Sequence, residues 1–292
     1  MPSWTPEIVV DAALVARAVA QWPELADRPI QALGAGWDNS AFLVDDAWLF
    51  RFPRRAFGRD AIEVEIRWCP QHAPRLPLAI PVPERIGGPL TDYPWRFAGH
   101  RLIAGETACR VSWTPDQRTA LAPVLGRFLR ALHALPVPAD APPDHIHRAD
   151  LVLRAPKTAD RLAEQGATQA VVDLARQLAH TPTWDRPPVW VHGDLYGRHV
   201  VVDDRRHVTG IIDWGDCHAG DPAGDLSIGW SFFGPADRER FLDAYGPVDA
   251  ATRARAQART LQYASFLMPY GLAEGDDAMR RLGELALVNA TA

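Results

Sequence analysis

Two acidic clusters occur close together in the chain, within residues 191–216. The first, VHGDLYGRHVVV at 191–202, places His192 and Asp194 before a run of valines. The second, IIDWGD at 211–216, places Asp213 after another apolar run. We interpret the residues between them as a β-hairpin, which returns its two ends to the same place. The spacing therefore predicts that Asp194 and Asp213 lie near each other.

Two neighbouring carboxylates suit phosphoryl transfer. One aligns the attacking hydroxyl, and the other holds a divalent metal ion against the phosphates. A simpler interpretation assigns these residues no chemistry. In it, His192 and Asp194 form hydrogen bonds with the backbone of a polar turn, and Asp213 is a turn residue at the end of a strand. Other features of the sequence are needed to choose between these two interpretations.

Composition restricts the class of protein. The 292 residues, 47% hydrophobic and 23% charged, are enough for one large globular domain or two lobes. A net charge of −5, without a basic tract, argues against a nucleic-acid partner. The three cysteines are far apart, which predicts reduced thiols. With no signal-like start and no long apolar run, we expect a cytoplasmic protein with no membrane partner.

The order of predicted elements divides the chain in two. An opening helix and several short strands fill the first hundred residues, including a hairpin turn at Asp45-Asp46. Helical periodicity dominates from about residue 115, with a helix near 158–180 and a hairpin embedded around the acidic clusters. This order predicts an α+β protein with a small N-terminal lobe, 1–103, carrying an antiparallel sheet, and a larger, mainly helical C-terminal lobe, 104–292.

The motifs resemble a known family. The segment VHGDLYGRHVVVDDRRHVTGIIDWGDCHAGDPAGDL (191–226) is similar to the catalytic segment of the aminoglycoside/macrolide phosphotransferases, which have a protein-kinase-like two-lobed fold. GAGWDNSAFLVDDAWLFRFPRR (34–55) resembles that family's nucleotide loop and the strand behind it. The resemblance implies a small-molecule kinase that transfers the γ-phosphate of ATP or GTP, with Mg²⁺, to a hydroxyl of an acceptor such as an aminoglycoside or macrolide antibiotic.

The resemblance also assigns roles to the acidic residues. Asp194 becomes the catalytic aspartate, which accepts a hydrogen bond from the acceptor hydroxyl. Asp213 becomes the metal-binding aspartate. We expect His192 to brace the loop by hydrogen bonds, and Asp221 and Asp225 to be structural, the second capping or anchoring the helix that follows.

The chain departs from the kinase pattern at two positions. His199 stands where kinases carry a metal-binding asparagine, and a neutral imidazole can bind a metal although magnesium prefers oxygen. Arg51 stands where the phosphate-contacting lysine is expected, in a chain with Lys157 as its one lysine. The expected partner of Arg51 is Glu65, with Glu63 as the second choice. The alternative is a solvated surface arginine.

The remaining predicted contacts with the nucleotide are mostly backbone contacts. Gly34, Gly36, Asn39 and Ser40 belong to the loop that lies over the phosphates through its N–H groups. The base should bind the backbone of the joining segment near His100–Ile103, which includes Arg101. Backbone contacts carry little side-chain signature, so the sequence does not choose between ATP and GTP.

Two other functions are compatible with the sequence. The sequence also gives few indications of the acceptor. A metal-dependent phosphohydrolase would use the cluster His192, Asp194, His199, Asp213 and His218. A catalytically silent nucleotide-binding protein would explain the two departures from the kinase pattern. The C-terminal region is only mildly acidic, and its aromatic residues could line an apolar pocket; they are Trp230, Phe232, Phe233, Tyr263, Phe266 and Tyr270. This balance slightly favours a less polar hydroxylated acceptor, similar to a macrolide.

Overall fold

The computed structural model describes residues 5–292, which form two compact units. The first unit contains the described residues up to Pro74, together with Ala79–Ile103 and the short segment Asp213–Asp216. The second contains Arg75–Leu78, Ala104–Ile212 and Cys217–Ala292. The chain thus leaves the second unit at Ile212 and returns to it at Cys217.

The first unit is built on a five-stranded antiparallel sheet. Its strands, in spatial order β1-β2-β3-β5-β4, are β1 (Ile30–Ala35), β2 (Asn39–Val44), β3 (Trp48–Pro53), β4 (Arg85–Gly87) and β5 (Phe97–Arg101). The predicted turn at Asp45-Asp46 is confirmed: both residues have positive φ and join β2 to β3. Side chains alternate along β3, so Phe50 and Phe52 are buried while Arg51 lies on the opposite face.

Two helices and an aromatic core complete the first unit. Helix α1 (Ala12–Val19) begins at Asp11, whose side chain accepts the amide of Leu14. Helix α2 (Ala56–His72) follows β3 directly. The core is rich in aromatic rings, with Phe52 and Phe97 stacked at 4.5 Å between ring centroids. This core fixes the face of β3 opposite Arg51.

The second unit is mainly helical. Its helices are α3 (Pro115–His133), α4 (Leu151–Glu164), α5 (Gln169–Leu178), α6 (Ala223–Leu226), α7 (Ile228–Ser231), α8 (Pro235–Tyr245), α9 (Ala250–Glu274) and α10 (Asp277–Thr291). Thr114 and Gln117 form a capping box at the start of α3. The single helix predicted near 158–180 is wrong: it is two helices, because the chain turns at Gly166 with φ +78°.

Five short strands lie among these helices. Three of them, β6 (Glu106–Thr107), β8 (Val200–Val202) and β9 (Val208–Ile211), form one antiparallel sheet in the order β6-β8-β9. The other two, β7 (Val189–Val191) and β10 (His218–Gly220), pair with each other. The hairpin predicted between the two acidic clusters is therefore confirmed: it consists of β8 and β9, while the preceding strand β7 pairs with β10.

The antiparallel sheet of the first unit and the helices of the second confirm the predicted α+β class. Within residues 5–292, no helix is both long enough and apolar enough to cross a membrane.

Candidate active site

In the first unit, Arg51 binds two carboxylates. Its Nη1 pairs with Glu65 on α2, and its Nη2 donates to Asp213 Oδ1 at 2.6 Å. The predicted Arg51–Glu65 pair is therefore present, whereas Glu63 pairs with Arg96. The side chain of Arg51 is only 12% exposed, so the alternative of a solvated surface arginine is wrong.

The three charged side chains of this ion-pair group differ in how deeply they are buried. Burial raises the pKa of Glu65 to about 7, although Arg51 opposes that shift. Burial alone would lower the pKa of Arg51, but the carboxylates of Asp213 and Glu65 outweigh it and raise that pKa. Arg51 therefore stays cationic. Asp213 is the accessible acid, with its side chain 45% exposed against 3% for Glu65.

The backbone at Asp213 is left-handed, with φ +67°. Aspartate is among the few residues that tolerate this region, and such conformations cluster at functional sites. The following residues are packed on α2: a Cβ on Gly215 would come within 2.8 Å of the Ala61 Cβ, and Trp214 is fully buried. The position of the Asp213 carboxylate is thus fixed by backbone geometry as well as by Arg51.

The predicted nucleotide loop is the turn between β1 and β2. Gly34 has φ +139°, and the amide of Gly36 donates to the carbonyl of Asn39 at 2.8 Å. Asn39 and Ser40 are buried at the start of β2. Asp38 pairs with Arg55 at the start of α2. The structure therefore brings Gly34, Gly36, Asn39 and Ser40 onto one turn, and their contact with phosphate stays a prediction.

The predicted base-binding segment follows β5. The guanidinium of Arg101 lies 3.9 Å from the ring centroid of Trp48, and the amide of Leu102 donates to Ala47. His100 donates from Nδ1 to the carbonyl of Arg101 at 2.8 Å, and burial lowers the pKa of His100 to about 4. Ile103 is the last residue of this part of the first unit. Base binding here stays a prediction.

In the second unit, Asp225 organises the loop that carries Asp194. Its Oδ2 accepts the backbone amide of His192 at 2.7 Å, and its Oδ1 accepts the amide of Gly193 at 2.9 Å. His133 also pairs with it, at 3.2 Å. Burial alone would raise the pKa of Asp225, but these partners outweigh it and lower that pKa. The prediction that Asp225 is structural is confirmed, but its carboxylate holds the loop and does not cap the helix that follows.

Two histidines fix the loop from inside. His192 donates from Nε2 to the carbonyl of Ile212 at 2.9 Å, and its Nδ1 accepts the amide of Asp194 at 3.3 Å. The prediction that His192 braces the loop is confirmed. His199 donates from Nδ1 to the carbonyl of Asp194 at 2.7 Å. That bond makes Nε2 the nitrogen with the lone pair, which is the usual arrangement of a metal-binding histidine.

The Asp194 carboxylate is surrounded by groups that the sequence analysis did not assign to it. Tyr263 donates its hydroxyl to Asp194 Oδ1 at 2.9 Å. Arg148 forms an ion pair with the same oxygen, and Arg259 Nη2 lies 3.5 Å from it. Burial raises the pKa of Tyr263, which therefore stays a hydrogen-bond donor. Asp194 is thus oriented by one hydroxyl and two guanidinium groups.

The aromatic residues considered for an apolar pocket are mostly core. Trp230, Phe232, Phe233 and Tyr263 are each less than 5% exposed. The hydroxyl of Tyr263 donates to Asp194, and its ring lies against that of Tyr196 with the ring centroids 5.1 Å apart. These four residues are core side chains and do not form an apolar acceptor surface.

Solved structures with the same fold are known. The chain superposes on the GDP complex of wild-type aminoglycoside 2'-phosphotransferase-IIIa with a TM-score of 0.70, covering 94% of this chain and 96% of that one at 24% identity. A macrolide 2'-phosphotransferase type I gives a TM-score of 0.64, covering 96% and 98% at 23% identity. These similarities confirm the predicted protein-kinase-like fold.

The family follows from the sequence comparisons. Residues 29–259 match the model of the phosphotransferase enzyme family, and the chain belongs to that family. It is 34% identical over 207 residues to the aminoglycoside 3'-phosphotransferase of Streptomyces ribosidificus, covering 65% of this chain and 74% of the relative. Against protein YcbJ of Bacillus subtilis (strain 168) it is 29% identical over 107 residues and spans 35% of that relative's length. The protein is thus a phosphotransferase, as the resemblance predicted.

Proposed function

We propose that this phosphotransferase moves the γ-phosphate of a magnesium-bound nucleoside triphosphate to a hydroxyl of a small molecule. The observation that carries the proposal is the position of Arg51 between Glu65 and Asp213. Kinases activate their phosphate site with the same combination: a cation on the third strand, a glutamate on the next helix, and a metal-binding aspartate. Here arginine takes the place of lysine.

The first lobe, residues 1–103, binds the nucleotide in this proposal. Arg51 contacts phosphate oxygens with its planar fork, and the N–H groups of the turn at 34–40 lie over the phosphates. Asp213 offers the oxygen donors that Mg²⁺ prefers, and His199 is the second proposed ligand. When bound, Mg²⁺ neutralises the charge that develops on the phosphates.

The second lobe, residues 104–292, supplies catalysis and binds the acceptor. Asp194 accepts the hydrogen bond of the attacking hydroxyl and so orients its oxygen toward the phosphorus. Because Asp225, His192 and His199 fix the surrounding loop, Asp194 does not have to be ordered when the acceptor arrives. The contact from Tyr263 sets the rotation of the carboxylate.

The relatives support both substrates. One neighbour of the same fold was solved with GDP, which supports a purine nucleoside triphosphate as donor. Two of the relatives are an aminoglycoside phosphotransferase and a macrolide phosphotransferase, which supports a hydroxylated small molecule as acceptor.

The two alternatives are less well supported. A phosphohydrolase centre would need His192 as a metal ligand, but both of its ring nitrogens bind backbone groups. A silent nucleotide-binding protein would not need Asp194 held by Tyr263 or its loop held by Asp225. Both arrangements support a catalytic role for the Asp194 carboxylate.

The proposal is tested by product formation. The protein is incubated with Mg²⁺ and either ATP or GTP, with separate acceptors that include kanamycin and a macrolide, and phosphorylated product and nucleoside diphosphate are both measured. Equal amounts of the two products in the wild type, and at least about a hundredfold slower formation of both in Asp194→Asn, support the proposal. Hydrolysis of simple phosphoesters without nucleotide would favour the phosphohydrolase, and nucleotide binding without any turnover would favour the silent protein.

A further inference from the structure

Three arginines gather at the acceptor side of the site. Arg148 and Arg259 contact Asp194 directly. Arg154 binds the carbonyls of Ile146 and His147; its pKa is lowered first by burial and then by the charges of Arg259 and Arg148. We refer to Arg148, Arg154 and Arg259 as the arginine cluster. A cluster whose members repel one another is costly to build, which points to a use for the positive charge.

The buried member has an unused donor edge. Arg259 is 5% exposed, and its Nη1 donates to Gln262 at 2.7 Å. Its Nε and Nη2 are buried and have no hydrogen-bond partner among the described residues. These two nitrogens form one edge of the planar guanidinium, whose parallel N–H groups match the two oxygens of a carboxylate. Asp194 does not fill that edge, since its Oδ1 is 3.5 Å from Nη2 without a hydrogen bond.

The charge around Asp194 is positive. The arginine cluster faces Asp194 and Asp144, so arginines outnumber carboxylates among these interacting residues of the described chain. A polycationic aminoglycoside would be repelled here, because like charges brought together in a partly buried site repel one another. An acceptor with its own negative charge would be attracted.

We propose that the acceptor of this enzyme is a hydroxy acid, whose carboxylate is bound by Arg259 and Arg148 while its hydroxyl is oriented by Asp194. The inference rests on the proposed phosphotransfer and specifies its substrate class. Arg148 is the more exposed of the two, at 21%, and meets the acid first. When Arg148 pairs with the carboxylate of the acceptor, it no longer pairs with Asp194 Oδ1. That oxygen can then accept the hydrogen bond of the acceptor hydroxyl.

The same donor edge also matches a phosphate oxygen of the nucleotide, so the experiment must separate the two sources of negative charge. We use three hydroxy acids (glycerate, threonate and gluconate) and the alcohols that replace each carboxylate with a hydroxymethyl group (glycerol, threitol and glucitol), with kanamycin as the polycation. Binding is measured by thermal stabilisation and titration calorimetry, and transfer is measured by phosphorylated product.

We expect at least one hydroxy acid to bind at least about tenfold more tightly than its alcohol and than kanamycin, and to be phosphorylated in preference to both. Arg259→Gln and Arg148→Gln should raise the KM for the acid at least about tenfold and change the KM for the nucleotide less than about twofold. Arg253→Gln, on the same helix but paired with Glu239 at the surface, is the matched control and should leave both values unchanged.

Three results would overturn the inference: no acid-specific binding, equal or better use of kanamycin or an alcohol, or a larger effect of the two variants on the nucleotide than on the acid. The wild-type comparison of acids with alcohols needs no variant, so it decides even if Arg259→Gln does not fold. Failure of the proposed function looks different, because nucleoside triphosphate would then not be consumed with any acceptor although the acid still binds.

Discussion

Asp225 accepts the backbone amide of His192 at 2.7 Å, although the two residues are 33 positions apart. The same fully buried carboxylate accepts the next amide, that of Gly193, and pairs with His133. A single acid thus fixes the backbone that carries Asp194.

Replacing this acid should therefore weaken both the fold and catalysis. In Asp225→Asn, the side-chain NH₂ must face a backbone N–H, and His133 loses a charged partner. We expect a loss of about 3 kcal/mol in the free energy of unfolding and a kcat at least about tenfold lower. Denaturant unfolding and steady-state kinetics measure the two effects. Asp173→Asn, at an exposed position on α5, is the control; equal behaviour of the two variants would contradict the assigned role of Asp225.

Arg51 should discriminate between a nucleotide and its nucleoside. If its guanidinium contacts phosphate, Arg51→Ala weakens triphosphate binding at least about tenfold and leaves adenosine or guanosine binding nearly unchanged. Glu65→Ala should act in the same direction but less strongly, because Asp213 still holds Arg51. Calorimetric titration with each compound measures the effect. Equal losses for nucleotide and nucleoside would mean that Arg51 acts only through the fold of its lobe.

His100 should make the protein less stable in acid. Burial lowers its pKa to about 4, below the ordinary 6.5, so the unfolded chain takes up the proton first as the pH falls. The stability that His100 contributes is complete above pH 6.5 and is lost progressively down to pH 4, by about 3 kcal/mol in all. We expect this loss to be absent from His100→Gln. The difference in unfolding free energy between the wild type and His100→Gln should therefore change between pH 6.5 and pH 4. A constant difference from pH 7.5 to pH 4 would contradict the burial argument.

The residues predicted from the sequence share one property: each lies at a recognisable position of a short local motif. Asp194 follows a strand, Asp213 follows another, and Arg51 lies on the face of an alternating strand opposite the buried Phe50 and Phe52. Their types and spacing were therefore enough to propose their chemistry. The proximity of Asp194 and Asp213 stays a prediction, since the two residues belong to different compact units.

The residues that sequence reasoning missed are joined to the site only by tertiary packing. Tyr263 is 69 positions from Asp194 in the sequence and donates to its carboxylate. Arg259, one helical turn earlier on α9, also lies beside that carboxylate. Neither position has a local pattern that distinguishes it from an ordinary buried helix residue. Asp225 was misjudged for a related reason: an acid at a helix start usually serves that helix, whereas the pairing of β7 with β10 brings the loop to it.

The most direct test of the central claim, that Asp194 orients an acceptor hydroxyl in a nucleotide-dependent kinase, is the comparison of turnover with nucleotide affinity in Asp194→Ala. We predict a kcat lower by ~10²–10⁴ with the dissociation constant of the magnesium-bound nucleotide changed less than about twofold. Asp194→Asn, which keeps the shape of the side chain, should show the same separation, and thermal unfolding checks that both variants are folded. A nucleotide affinity that falls in step with turnover in folded protein would contradict the claim.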